Sequence, residues 1–228
     1  MKNYKYLVVN GCSFAKGQGC ENVEEERFSK LLSDKLRCEE VNIAKGGGSN
    51  DRAFRTTFDW IQENQDKVKE SLFIIGLTEL YRKDFYSNVR KTYTAISVPE
   101  LYHGQSGGDD APFKLGMSED DVKKYAKLDL KYLTSDVPLM NSLHRQLILL
   151  NSYIKVNGGR LIFFIALERD ERTYTKKTDE LEEFMIGGYD TWRQFIFSYR
   201  ENYRAEHPNE NDHKIMTDRL YEYLNEEV

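Results

Sequence analysis

A hydroxyl nucleophile and an imidazole base stand near opposite ends of this sequence. Ser13 comes after residues 5–10, a short run of apolar and β-branched side chains that predicts a strand, and the turn residues Gly11 and Cys12. Ligands of open α/β sheets bind outside the carboxyl ends of the strands, where a serine hydroxyl is well placed to attack a substrate. His207 can take the proton of such a nucleophile. The pair suggests acyl transfer, and an ordinary turn serine is the alternative interpretation of Ser13.

Acyl transfer also requires hydrogen-bond donors for the developing oxyanion. The backbone N–H groups of Ser13 and Gly47 are candidates, because glycine allows the backbone to approach a ligand closely. Besides the Ser13 turn, three segments are expected at the same edge of the sheet: 46–48, 76–79 and 207–209.

The composition excludes several classes of protein. A chain of 228 residues with 13% aromatic side chains can bury one full α/β core. The net charge of −5, with acids and bases interspersed, argues against a general nucleic-acid or anionic-membrane binder. Cys12, Cys20 and Cys38 lack metal-ligand spacing and are typical of reduced thiols. The first predicted strand leaves no room for a signal peptide, and no apolar run approaches the ~18 residues of a membrane span, so we expect a cytoplasmic protein.

Strands alternate with helices along the chain. Strands are predicted at 5–10, 38–44, 72–75 and 161–165, with a weaker fifth at 184–186. Apolar spacing predicts five helices. The first runs from the acidic residues 24–26 to Leu36, and the second is capped by Ser49 or Asn50 and carries Phe54, Phe58 and Ile61 at the i, i+4 and i+7 positions. The other three are predicted over 139–154, around 192–199 and over 216–224. Apolar strands joined by helices predict a mostly parallel sheet of four or five strands covered on both faces. We expect one domain over residues 1–228, with an irregular insertion or lid at about 83–118.

Three blocks of this sequence resemble the SGNH (GDSL-like) hydrolases: Gly11-Cys12-Ser13, residues 42–50 and His207-Pro208-Asn209. The resemblance implies a flavodoxin-like α/β/α sandwich in which Ser13 is the nucleophile, Gly47 an oxyanion donor and His207 the base. It implies neither a metal nor an organic cofactor.

Two positions depart from the pattern of that family. Its third block places an asparagine in Gly-x-Asn-Asp, and Thr78 stands at the asparagine position here. Loss of one oxyanion donor typically lowers turnover by about 10²–10³. The family also places an aspartate three residues before its histidine, where this chain has Arg204. Glu201 or Glu206 are possible replacements, and Glu210 with His213 form an alternative acid-x-x-His pair.

The resemblance implies a serine esterase that acts on an O-acetyl sugar, a lipid ester or a thioester. Asn50 and Arg82 are candidate substrate-binding residues, Arg82 for an anionic group. A degenerate SGNH scaffold that binds a ligand such as carbohydrate without turnover is the alternative. An interaction module that uses the aromatic segment 81–102 is a third hypothesis. The expected partner is a small-molecule or glycan ester, not nucleic acid or membrane, and no oligomeric state is assigned.

Overall fold

The computed structural model of the protein describes residues 3–103, 115–167, 181–200 and 207–226. The strands within these ranges are β1 (Tyr6–Asn10), β2 (Glu39–Asn42), β3 (Ser71–Leu77), β4 (Arg82–Ser87), β5 (Thr92–Ser97) and β6 (Arg160–Ile165). The α-helices are α1 (Ser13–Lys16), α2 (Val23–Glu26), α3 (Phe28–Leu36), α4 (Asn50–Glu63), α5 (Val98–His103), α6 (Glu119–Leu128), α7 (Asp136–Val156), α8 (Trp192–Phe197) and α9 (Glu210–Glu226). Short 3₁₀ turns lie at Gln65–Glu70 and Ile186–Gly188, and a π-helical turn at Asp129–Leu133.

The main sheet has the strand order β2-β1-β3-β6, and all of its neighbouring strands are parallel. In its register Val8 pairs with Val41 on one side and with Phe73 on the other. Every residue of β3 is buried, which confirms the prediction of a central strand.

Helices cover both faces of this sheet. Side chains of a strand alternate between faces, so Leu7 and Val9 enter one apolar cluster and Val8 enters the other. Helices α3, α8 and α9 contribute to the first cluster, and α4 and α7 to the second. The predicted three-layer α/β/α sandwich with a mostly parallel sheet is therefore confirmed.

The helix predicted to begin at residues 24–26 is in fact two helices. Arg27 has an extended backbone and separates α2 from α3. Its guanidinium makes a two-pronged hydrogen bond to Glu40, at 2.7 and 2.8 Å. The backbone N–H of Phe28 donates to His213 Nδ1 at 3.1 Å. These partners from β2 and α9 stabilise the break, and sequence periodicity could not reveal them.

The prediction of an irregular segment at 83–118 is wrong for residues 83–103. Strands β4 and β5 pair antiparallel, and α5 follows them directly. The hairpin and α6 share a small apolar cluster of their own, which includes Phe85, Ile96 and Val122. Residues 104–114, the central part of the predicted insertion or lid, lie outside the described residues.

The predicted fifth strand at 184–186 is also wrong. Within residues 181–188 only Glu183 pairs with the main sheet, through a single parallel bridge to Phe163. Gly187 and Gly188 then adopt positive φ angles of 59° and 81°, and the chain turns there in a 3₁₀ conformation. The turn stops the pairing after one bridge.

The remaining predicted helices are confirmed as α4, α7, α8 and α9. Ser49 caps α4, and its Oγ accepts a hydrogen bond from Arg52 N–H at 3.1 Å. Phe54 and Ile61 of this helix are buried, whereas Phe58 is exposed. No helix within the described residues is both long and apolar enough to cross a membrane.

Candidate active site

Ser13 begins α1, immediately beyond the carboxyl end of β1. Gly11 precedes it with φ +144°, and a Cβ at this glycine would lie 2.6 Å from the carbonyl oxygen of Gly76. Only glycine therefore allows the ends of β1 and β3 to come so close. Ser13 is 8% exposed, and its carbonyl accepts a hydrogen bond from Gln18 N–H at 3.0 Å.

The glycine loop after β2 lies against the Ser13 turn. Lys45 N–H donates to Gly11 O at 3.2 Å. Within the glycine loop, Gly48 N–H donates to Lys45 O at 2.8 Å. A Cβ at Gly48 would lie 2.9 Å from Gly11 O. Gly47, with φ +68°, is exposed, and a Cβ there would meet no atom within 4 Å. Gly47 thus presents its backbone to open space beside the turn that carries Ser13.

Thr78, just beyond the end of β3, is held by Asn50 and Arg82. Asn50 Oδ1 accepts from Thr78 N–H at 2.8 Å, and Asn50 Nδ2 donates to Thr78 O at 3.0 Å. Arg82 Nη1 donates to Thr78 Oγ1 at 3.2 Å and to Gly48 O at 3.4 Å, while Nη2 donates to Glu79 Oε2 at 3.2 Å. Asn50 and Arg82, expected to bind substrate, therefore make bonds that join the first turn of α4, the end of β3 and the glycine loop.

Arg52 belongs to the same region and was missed by the sequence analysis. Its guanidinium donates to Ile43 O at 3.2 Å and to Asn10 Oδ1 at 3.4 Å, both neutral oxygens. Its Cδ lies 3.8 Å from the position of a Cβ at Gly48. Burial lowers the pKa of Arg52. A cation in the first turn of a helix opposes the helix dipole, and this was the available sequence signal for a special role.

His207 reaches the Ser13 turn from the far end of the chain. A Cβ at Gly19, where φ is +114°, would lie 2.8 Å from His207 Cβ and 2.4 Å from Pro208 O. The imidazole also packs on Phe14, with ring centroids 6.0 Å apart. His207 thus contacts the residue that follows Ser13.

Burial lowers the pKa of His207. The imidazole is therefore neutral at pH 7, the state that accepts a proton. Catalytic hydrogen bonds are often long without substrate and tighten when it binds. Contact through Phe14 is consequently compatible with a serine–histidine pair.

The segment that carries His207 is anchored at the start of α9. Asn209 N–H donates to Asp212 Oδ2 at 2.8 Å, and Asp212 N–H donates to Asn209 Oδ1 at 3.1 Å. Asp212 is fully buried and also accepts from Tyr199 OH at 2.6 Å and Arg200 Nη1 at 2.5 Å. The sequence analysis missed Asp212, although Asn-x-x-Asp before an apolar run is a helix-capping signal.

His213 and Glu210, the alternative pair, have other partners. His213 is fully buried, stacks on Phe28 and accepts from its backbone N–H, so its Nδ1 is occupied. Burial lowers the pKa of His213 to about 4. Glu210 Oε1 accepts from Glu21 N–H at 2.8 Å. His213 is thus a core residue, and Glu210 ties α9 to the loop after Ser13.

Glu206, with Glu201 and Arg204, lies outside the described residues. Within the described ranges, no three His, Cys, Asp or Glu side chains are grouped so that they could hold a metal ion.

The sequence matches one protein family over most of its length. A family described as a family of unknown function (DUF6071) matches residues 16–183, which is most of the chain. The chain belongs to the DUF6071 family. None of the curated proteins matches it.

Solved structures similar to this DUF6071 chain include two esterases. The psychrotrophic esterase EstA from Pseudoalteromonas sp. is 13% identical, with 97% of each chain covered and a TM-score of 0.52. A catalytic mutant of Axe2, an acetylxylan esterase from Geobacillus stearothermophilus, is 11% identical, with 97% of this chain and 95% of that chain covered and a TM-score of 0.53. TesA is 10% identical, with 98% and 99% covered and a TM-score of 0.52. At these identities the likeness establishes the fold alone, the three-layer α/β/α sandwich described above.

Proposed function

We propose that this chain is a serine hydrolase that cleaves carboxylic esters. One observation carries the proposal: His207 and Pro208 pack on Phe14 and Gly19, in the segment that follows Ser13. The likeness to esterase folds supports it, because the same edge of such a sheet holds the ligand.

The reaction begins when Ser13 Oγ attacks the carbonyl carbon of the ester and His207 takes the hydroxyl proton. The carbonyl oxygen becomes an oxyanion, which the N–H groups of Ser13 and Gly47 and the side chain of Thr78 stabilise. The carbon–oxygen bond to the alcohol breaks, and the alcohol leaves with the proton held by His207. Ser13 then carries the acyl group.

Water completes the cycle. His207 takes a proton from a water molecule, whose oxygen attacks the acyl carbon. A second tetrahedral oxyanion forms between the same donors. The bond to Ser13 Oγ breaks, the serine recovers its proton from His207, and the carboxylic acid is released. No cofactor takes part in these steps.

The substrate class follows from this chemistry. A small-molecule or glycan ester is proposed, either an O-acetyl sugar, a lipid ester or a thioester, since each has the carbonyl that Ser13 would attack. The net charge of −5 supports a substrate other than nucleic acid.

The test uses 4-nitrophenyl acetate hydrolysis and a fluorophosphonate probe that labels activated serines. We expect both signals in the natural chain and neither in Ser13→Ala. Ser198→Ala is the matched control, because Ser198 is exposed and its Oγ donates to Phe195 O in α8. Equal hydrolysis in Ser13→Ala would contradict the proposal.

A second candidate function is ligand binding without turnover. Thr78 and Arg204 favour it, because they stand where the GDSL/SGNH pattern places an asparagine and an aspartate. This function predicts no labelling of the natural chain, and equal binding of an acetylated xylooligosaccharide by the natural chain and by Ser13→Ala in calorimetry. Ser13-dependent hydrolysis would exclude it.

A further inference from the structure

We propose that Arg82 acts through Thr78 as a positioning residue that brings positive charge to the oxyanion. The inference rests on the proposed function. It accounts for the loss of the asparagine that the GDSL/SGNH pattern has at position 78.

The geometry places the Arg82 guanidinium between the two loops that carry oxyanion donors. Its Nη1 reaches Thr78 Oγ1 at 3.2 Å and Gly48 O, next to Gly47, at 3.4 Å. Asn50 holds the Thr78 backbone from the other side with two hydrogen bonds. The threonine side chain is therefore fixed by its backbone and by its hydroxyl oxygen.

A hydroxyl that accepts from a guanidinium is a stronger donor to a third group. Hydrogen bonds in a chain polarise one another, and those from an ionised donor are about twice as strong as neutral ones. As negative charge develops on the ester oxygen, the Thr78 hydroxyl, polarised by Arg82, donates a stronger hydrogen bond to that oxygen. Because this influence grows with the charge, it stabilises the transition state more than the bound ester.

Glu79 is the counter-charge of Arg82 and does not cancel this effect. The Arg82 side chain is 12% exposed, whereas that of Glu79 is 37% exposed and better screened by water. Arg52 adds a second guanidinium beside Gly48, bonded to the neutral oxygens of Ile43 and Asn10. Asp84, which pairs with Arg55 at 2.8 Å, is the carboxylate that acts electrostatically on Arg52. Both cations make this edge electropositive in a chain of net charge −5.

The experiment measures kcat and KM for 4-nitrophenyl acetate in Arg82→Gln, Arg82→Lys, Thr78→Asn and the double variant Thr78→Asn/Arg82→Gln. Arg82→Gln should lower kcat about tenfold with KM nearly unchanged, because the charge-assisted hydrogen bond from Arg82 to Thr78 is lost. Arg82→Lys should retain part of the rate, since it keeps the charge. Thr78→Asn should restore most of the rate in the Arg82→Gln background, because the amide donates without a cation behind it. Arg219→Gln, an exposed arginine paired with Glu222 on α9, is the control.

The outcomes separate this inference from the proposed function. Hydrolysis that does not depend on Ser13 contradicts both the proposed function and the role of Arg82. Hydrolysis that depends on Ser13 but is unchanged in Arg82→Gln overturns only the role of Arg82. A loss of kcat that Thr78→Asn leaves uncorrected also overturns it, because a purely structural arginine would behave so. If Arg82→Gln fails to fold, the result for Arg82→Lys is decisive. A kcat at or below one hundredth of the natural value contradicts the role of charge. A kcat between that limit and the natural value supports it.

Discussion

Asn209 and Asp212 hydrogen-bond to each other in both directions, and this reciprocal pair fixes the segment that carries His207. The two bonds satisfy N–H groups at the start of α9 that the helix itself leaves unpaired. Asp212 in turn is bonded to Tyr199 and Arg200, close to the end of α8. The segment that carries His207 is therefore joined to the start of α9 and to residues just beyond α8 through one buried carboxylate.

Replacement of that carboxylate should loosen His207. We expect Asp212→Asn to lower the free energy of unfolding by about 2 kcal/mol, since buried hydrogen bonds to a charge are lost. The value of kcat for an aryl ester should fall with it. Urea unfolding and steady-state kinetics measure the two effects. Asp218→Asn on the same helix, whose ion pair with Lys35 is exposed, should change the unfolding energy by at most about 0.5 kcal/mol. A stable Asp212→Asn with full kcat would show that the pair does not position His207.

The contact of Gly19 with His207 gives a second prediction. In Gly19→Ala the new methyl group would lie 2.4 Å from Pro208 O and 2.8 Å from His207 Cβ, so the histidine segment must move away. We expect a loss of at least about tenfold in kcat, because misplacement by about 1 Å can cost 10²-fold. Gly188→Ala is the matched control: its φ of +81° carries similar backbone strain, but nothing lies within 4 Å of the new methyl. Equal kcat values for the two variants would refute the role of the contact.

The extent to which the sequence predicts this molecule depends on the range of the contacts involved. The main sheet was predictable because residues 72–75 of β3 are all apolar and the turn at Gly11-Cys12-Ser13 is local. The hairpin was not, because Lys83 and Asp84 find their partners in Asp129 and Arg55, far along the chain. A charged strand whose charges are neutralised by distant residues has no local sequence signal.

The candidate site divides in the same way. Ser13 and Gly47 follow strands, so their places at the sheet edge were predictable from the strand ends. Arg52 and Asp212 act through bonds to residues on other elements, and spacing alone does not reveal such bonds. The backbone break at Arg27 likewise depends on His213 and Glu40, which belong to other elements.

Hydrolysis should depend on pH through His207. Burial holds the pKa of this imidazole below its ordinary value of 6.5, so it is neutral at pH 7 and becomes protonated only as the pH falls through the lowered pKa. The value of kcat/KM should therefore fall on the acid side with a midpoint below 6.5. Phe14→Leu, which removes the aromatic ring from the imidazole, should move the midpoint toward 6.5. A midpoint above 6.5 in the natural chain would rule out the neutral buried imidazole as the base.

Folding stability should depend on pH through His213. Its pKa is about 4 in the folded protein and near 6.5 when unfolded, so the unfolded chain binds more protons between these values. Stability is therefore present in full above about pH 6.5 and is lost as the pH falls toward 4. A pKa shift from 6.5 to about 4 corresponds to a change of about 3 kcal/mol in the free energy of unfolding. Urea unfolding at pH 7 and pH 4.5 measures it, and His213→Phe should reduce the difference between the two pH values. An equal difference in that variant would assign the pH dependence to other groups.

The ion pair of Lys83 and Asp129 should hold the hairpin to the π-helical turn. Lys83 Nζ lies 2.7 and 2.8 Å from the two carboxylate oxygens and 2.7 Å from Thr134 Oγ1. The Asp129 side chain is 3% exposed and that of Lys83 is 22% exposed, so removal of one partner leaves a poorly hydrated charge. We expect Asp129→Leu to destabilise the protein by about 3 kcal/mol, and Lys83→Met/Asp129→Leu to recover most of the loss, because two apolar side chains replace both charges. Hydrogen exchange at the backbone amides of β4 and β5 should be faster in the single variant and slow again in the double variant. Similar exchange in the natural chain and in Asp129→Leu would mean that the apolar cluster around Ile96 holds the hairpin without the ion pair.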